Sequence, residues 1–398
     1  MTTTTPTIKR QRLGFLAASL SLGTVFAAAG SPVSLYETYR LEDGIGTGQL
    51  AVVAASYFIA VAVALLFFGR VSDYLGRKPV AFAALGFAVV GCLLMLNVQS
   101  ATPLIIGRAM QGLGGGLASS AVAAYIVDAA PTKPAWLAST ITGTVPMFGL
   151  PVGALLSGAL VEYGPAPRQL VYLVFIILLA LCASLIALSP ETVDRSPGAS
   201  KSIRPKLALP PESRRVLPYA AAVILGTWVM GAFYQSFGPT VAGEQFGTTN
   251  ALLAAAVFAS IMLFNPLGGL LTGRLSPAKK QRLGMALFLF AITGVVASLA
   301  MNATIPFLIA SLIAGAGWGA AFSGSVQSLL TNARPQERSG ILATIYLISY
   351  SSAAIPGLIA GALTHVLSLL HIALVMSAVT LLCSLFVLTF AKEPHSTH

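Results

Sequence analysis

Two polar groups stand out in a chain of 398 residues that is 56% hydrophobic and only 9% charged. The first is Gly69-Arg-Val-Ser-Asp-Tyr-Leu-Gly-Arg-Lys-Pro-Val80, an interruption between two apolar runs. Asp73 stands where a carboxylate can meet positive helix N-termini, while Arg77 and Lys78 stay at a membrane surface. Gly69 and Gly76 permit the tight reversal between the runs. The second group is Arg108, inside an apolar run, with Gln111, Gly112, Gly115 and Ser119 continuing its stripe at helical spacing. A guanidinium there needs acceptors or an anionic substrate in a bundle interior, or a path to the headgroups. Counted from Pro103, Arg108 lies roughly 8 Å below the outer end of its run, so either is in reach. The small and polar stripe favours the interior. Catalytic chemistry has little to stand on, because no His precedes His365 and a nucleophile would lack its base. Cys92, Cys182 and Cys383 lie in apolar runs without partners at metal spacing, so neither a metal site, a cofactor nor an enzyme is expected. Gly112-x-Gly114 follows no strand and is no nucleotide loop.

The elements that must position these residues are apolar runs of about 20 residues, the length a bilayer requires. They fall near 13–36, 49–69, 79–97, 103–127, 136–161 and 169–188, then near 217–241, 250–273, 283–301, 305–330, 340–364 and 368–390. The predicted class is an all-α membrane protein with twelve transmembrane helices, embedded in a lipid bilayer. Alternating the loops from a cytoplasmic N-terminus places 20 of 23 Lys and Arg inside, leaving Arg40 and Arg168 outside and Arg108 within a span. This asymmetry predicts cytoplasmic N- and C-termini, and turns the net charge of +11 into a topology signal rather than a nucleic-acid footprint. Lys9, Arg10 and Arg12 before an apolar run and Ala27-Ala-Ala29 have the layout of a signal peptide.

A repeat argues against its removal. Leu22-Gly-Thr24 recurs as Leu225-Gly-Thr227, and Gly69-Arg-Val-Ser72 as Gly273-Arg-Leu-Ser276. Pro103, Gly112, Gly114, Gly116 and Ser120 recur as Pro306, Gly315, Gly317, Gly319 and Ser323. The chain therefore divides into a six-helix bundle over 1–188, a Pro-rich cytoplasmic linker over 189–216 and a second, pseudo-symmetric bundle over 217–398. In the second copy Pro277 stands where Asp73 stood, so a switch built on this loop is expected to be lopsided.

Gly69, Asp73, Gly76, Arg77 and Lys78 closely resemble the loop after the second helix in the major facilitator superfamily of secondary transporters. Arg108-Ala-Met-Gln-Gly112 and Pro190-Glu-Thr192 resemble two further signatures of that family, and the likeness covers essentially the whole chain. It implies the major facilitator fold, with a substrate site near the midplane between two parallel six-helix repeats. It also implies that Asp73, Arg77 and Asp128, the last closing the fourth run, form a cluster tying cytoplasmic helix ends together in one state of a two-state cycle.

The residues themselves suggest a path for a small-molecule substrate. Trp228, Gly231 and Gln235 share a face of the seventh run, and Ser311, Gly315, Trp318 and Ser325 one of the tenth. Tyr57, Asn265, Gln327, Tyr346 and Tyr350 are further polar or aromatic candidates, joining Arg108 and Gln111. Aromatic walls with few fixed polar groups suit amphipathic organic molecules. Gly149-Leu-Pro-Val-Gly153 resembles the Gly-Pro-x-x-Gly-Gly element of exporting family members, although Gly149, Pro151 and Gly153, like Gly112, also suit close helix packing. The expectation is a monomeric, proton-coupled exporter in a cell membrane, the bacterial inner membrane. Proton coupling comes from the resemblance, since no carboxylate lies mid-span. The alternatives are import or exchange of an anionic metabolite through Arg108, and a sensor that binds without transporting.

Overall fold

The computed structural model describes residues 8–131, 133–134, 136–198, 202–203 and 209–394, and every regular element among them is helical. Twelve helices are long and apolar enough to cross a membrane. They are α1 Arg10–Glu42, α2 Thr47–Phe68, α3 Arg77–Leu94, α4 Ala101–Ala129, α5 Leu137–Tyr163 and α6 Pro167–Leu188. Then follow α7 Pro211–Glu244, α8 Ala251–Leu271, α9 Pro277–Ala300, α10 Thr304–Leu330, α11 Gly340–Leu363 and α12 Leu369–Phe390.

Two ends differ from the hydropathy reading. Helix α1 continues past its apolar run through a 3₁₀ turn, Ser31–Leu35, into Tyr36–Glu42. Helix α7 starts at Pro211, inside the segment read as linker, because Pro210 and Pro211 precede Glu212 in the first turn and a proline fits where no N–H is needed. Residues 199–201 and 204–208 of the linker lie outside the described residues. Contacts group the chain into one unit of 1–32 and 59–205 and another of 33–58 and 206–398. The hairpin joining α1 to α2 thus counts with the second unit.

Glycine lets backbones meet inside each unit. A Cβ on Gly153 would stand 1.9 Å from the Ala27 carbonyl oxygen, and one on Gly149 2.6 Å from Phe26 Cβ, so α5 lies directly against α1. In the second unit a Cβ on Gly319 would stand 1.7 Å from the Asn265 oxygen. Helix α8 breaks at that place, at Phe264, where Pro266 withholds an amide from the helix. A single π-turn ends α2 at Ala64–Phe68, and another interrupts α4 at Ala118–Val122. The two helices touch beside them, since a Cβ on Gly116 would meet Ala64 Cβ at 2.5 Å.

Candidate functional site

In the first unit the charged turn is closed by residues from three places. Ser72–Leu75 forms one helical turn after Gly69, and Gly76, at φ +94°, reverses the chain into α3. Arg77, with its side chain 11% exposed, reaches Asp73 Oδ1 at 2.5 Å and Asp128 Oδ2 at 2.8 Å. It also donates to Ser72 Oγ at 2.8 Å. The guanidinium fork can serve these acceptors together where an ammonium would serve them as a point charge. Glu191, just past α6, accepts from the amides of Arg77 at 2.8 Å and Lys78 at 3.0 Å, placing a carboxylate on the N-terminus of α3. Lys78 Nζ donates to the carbonyls of Ala187 and Ser189 at the end of α6, at 2.9 and 2.7 Å. Thr192 Oγ1 donates to Asp128 Oδ2 at 3.2 Å, and the Tyr125 hydroxyl donates to the Pro190 carbonyl. The Pro-Glu-Thr signature thus joins the cluster through its carboxylate, its hydroxyl and its proline carbonyl.

Arg108 lies fully buried in α4 and does not run out to the headgroups. Its Nη1 donates to the Ala29 carbonyl of α1 and to Gln111 Oε1 at 3.1 Å. Gln111 Nε2 in turn donates to the Ala28 carbonyl at 2.9 Å. That carbonyl would meet the amide of residue 32 in a continuous helix, and Pro32 has none to give. The pair therefore ties α4 to α1 where the latter tightens into its 3₁₀ turn.

In the second unit, Glu393 occupies a place that sequence reading missed. It accepts from Ser276 Oγ and, at 3.4 Å, from the Ala278 amide, at the start of α9. Arg282 Nη2 donates to the Ala391 carbonyl at 2.7 Å, as Lys78 does at the end of α6. The repeat held the signal: Glu393 lies 393 − 191 = 202 residues after Glu191. Although Pro277 replaces the acid of the turn, the carboxylate that seats the next helix persists. Gln327 is exposed and accepts from Lys280 Nζ at 2.8 Å at this charged end.

Another missed group is Arg40 with Glu37 and Glu244. Arg40 holds Glu37 in a fork at 2.8 and 2.9 Å and approaches Glu244, at the end of α7, at 3.2 Å. Gly243 makes room, since a Cβ there would stand 2.5 Å from Glu37 Oε1. One arginine between two carboxylates repeats, within the second unit, the plan of Arg77 in the first.

Elsewhere in the second unit, Trp228 gathers much of the aromatic set. Its ring centroid lies 5.2 Å from that of Tyr350, 5.8 Å from Trp318 and 6.3 Å from Phe322. Tyr346 lies tilted beside Tyr350 at 6.4 Å, and Tyr57 joins through Phe58, which meets Tyr350 at 6.3 Å. Gln235 is buried two turns beyond Trp228 on α7. Asn265 is buried at the break in α8, where its backbone carries the contact with Gly319.

Comparison with known proteins gives a family and a fold. A family model described as Major Facilitator Superfamily matches residues 13–358. Multidrug resistance protein 3 of Bacillus subtilis is 30% identical over 161 residues, 40% of this chain and 31% of that protein. Multidrug resistance protein MdtL of Klebsiella pneumoniae is 30% identical over 150 residues, 36% of this chain and 38% of that protein. The vacuolar membrane amino acid uptake transporter fnx2 of Schizosaccharomyces pombe is 30% identical over 162 residues, 40% of this chain and 27% of that one. The matched stretch thus spans about a third of each relative's length. A crystal structure of a point mutant of the nucleoside transporter NupG superposes with a TM-score of 0.72 at 10% identity, covering 95% of this chain and all of that one.

Proposed function

This chain belongs to the major facilitator superfamily, and from that premise we propose that it is a proton-coupled exporter of small, amphipathic organic compounds, working by alternating access. It is a multi-pass membrane protein. In this reading it acts as a monomer in a bacterial inner membrane, both termini lie in the cytoplasm, and it binds no nucleic acid. The observation that carries the cycle is Arg77 bridging Asp73 and Asp128, because an interfacial ion pair favours one packing and is lost in the other. Arg40 between Glu37 and Glu244 supplies a second contact of the same kind. Two relatives named for multidrug resistance support export, and the aromatic set around Trp228 supports an amphipathic cargo.

Import of an anionic metabolite through Arg108 has less support, since Arg108 Nη1 is engaged by Ala29 and Gln111. The test is flux from proteoliposomes of purified protein with and without an imposed pH gradient. Outward uphill movement of a lipophilic dye that collapses with the gradient supports the proposal. Accumulation of an anionic metabolite, lost in Arg108→Ala, would replace it with the importer. Binding without flux would favour a sensor.

A further inference from the structure

Gly231 lies between Trp228 and Gln235 on one face of α7, and the Trp318 ring covers it: a Cβ there would stand 2.6 Å from Trp318 Cη2. Trp228 is 8% exposed and Gln235 3%, yet among the described residues nothing accepts a hydrogen bond from Trp228 Nε1 or Gln235 Nε2. Ser349, beside Tyr350 on α11, has a fully buried hydroxyl in the same condition. Leaving a buried donor unmet costs about 1–3 kcal/mol, and most are met in folded proteins. Two buried donors two turns apart beside one aromatic cluster point to acceptors that arrive with a ligand. The side chains named here are all uncharged, so an ionised guest would lose its hydration without a counter-charge.

We infer that the Trp228–Gln235 face of the second unit binds neutral, flat aromatic compounds through a hydrogen-bond acceptor on the ligand, such as a carbonyl or lactone oxygen. The rings of Trp228, Trp318 and Tyr350 supply the apolar contact, and the indole and amide N–H groups select for the acceptor. This rests on the transporter reading above and narrows its cargo. A site built to donate rejects an analogue lacking the acceptor, because the donors then stay buried and unmet.

The experiment is equilibrium dialysis of the detergent-purified full chain with radiolabelled coumarin, naphthalene and tetraphenylphosphonium. Coumarin and naphthalene are fused bicycles of similar size, and only coumarin carries a carbonyl acceptor. Tetraphenylphosphonium is aromatic, cationic and without an acceptor. Coumarin is expected to bind at least about tenfold more tightly than either, the size of one hydrogen bond. Trp228→Phe keeps an aromatic ring and removes the donor, so it should lower coumarin affinity about five- to tenfold and leave naphthalene unchanged. Gln235→Leu should do the same, with thermal unfolding confirming that both variants fold.

Equal binding of coumarin and naphthalene, preference for the cation, absence of coumarin binding, or indifference to Trp228→Phe would each overturn the inference. Failure of the transporter reading looks different: the coumarin preference and its loss in Trp228→Phe would hold, while no compound crossed proteoliposomes. Flux of a lipophilic cation that ignores Trp228→Phe would sink the inference and leave the transporter standing.

Discussion

Glu191 in the first unit and Glu393 in the second perform one task. One follows α6 and the other α12, and they place their carboxylates on the amides or hydroxyl at the starts of α3 and α9 respectively. Glu191→Ala should free the first amides of α3 and lower the unfolding temperature by about 2–4 °C, the scale of a lost cap. Glu393→Ala should cost less, because its contact with the Ala278 amide is 3.4 Å against 2.8 Å for Glu191 with Arg77. Differential scanning calorimetry in detergent checks the order, and a larger loss in Glu393→Ala would contradict it.

Asp73→Asn and Asp128→Asn remove one partner each from Arg77. Neither carboxylate belongs to the aromatic set, so ligand affinity should stay within about twofold while flux falls about tenfold, the effect of up to about 1.4 kcal/mol on a two-state balance. Asp128→Asn should be the more severe, because Asp128 is less exposed than Asp73, 31% against 53%, and also meets Thr192. Parallel loss of binding and flux in either variant would argue against a switching role.

Arg40 and Glu244 are exposed enough that their pairing is worth about 0.2–1 kcal/mol. A double-mutant cycle with Arg40→Ala and Glu244→Ala should show coupling of that size in flux at low salt. At about 1 M salt, where screening acts over about 3 Å, the coupling should shrink toward zero. Strictly additive effects at low salt would mean that the pair does not contribute.

Arg108→Ala strands Gln111 Oε1 and the Ala29 carbonyl inside the first unit. The expected result is a fall in stability of about 1–3 kcal/mol for each acceptor left unmet. Arg108→Lys restores a charge but not the fork, so it should recover only part of the unfolding temperature. A fully stable Arg108→Ala protein would show that the bridge from α4 to α1 is dispensable.

Gly153→Val adds bulk where even a Cβ falls 1.9 Å from the Ala27 carbonyl oxygen. The α1–α5 contact must part, so the yield of folded protein should fall steeply. Gly143→Val, in open space on the same helix, should express normally. Equal yields would refute the close contact.

The twelve spans were legible because a bilayer demands long apolar runs, and the pairing of Asp73 and Arg77 because its residues follow a family pattern. Arg40 with Glu37 and Glu244 was not, since charges at the ends of apolar runs look alike until a fold chooses partners among them. The partner of Gln327 was equally hidden. The bond with Lys280, 47 residues away, joins α10 to α9 and has no trace in the spacing of either run. Glu393 was within reach through its offset from Glu191, but one acid near a chain end resembles any surface charge.

The π-turn at Ala118–Val122 absorbs one residue's worth of rotation, about 100°, between Arg108 and Asp128 on the same helix. Closing the bulge into regular α-helix without losing a residue would leave the apolar length ample for a bilayer, yet turn the far half of α4 so that Tyr125 and Asp128 face away from Pro190 and Arg77. The phase of this helix is thus held by a wide turn that hides one surplus amino acid, and a chain that wound that residue into regular helix would still cross the membrane while its latch pointed elsewhere.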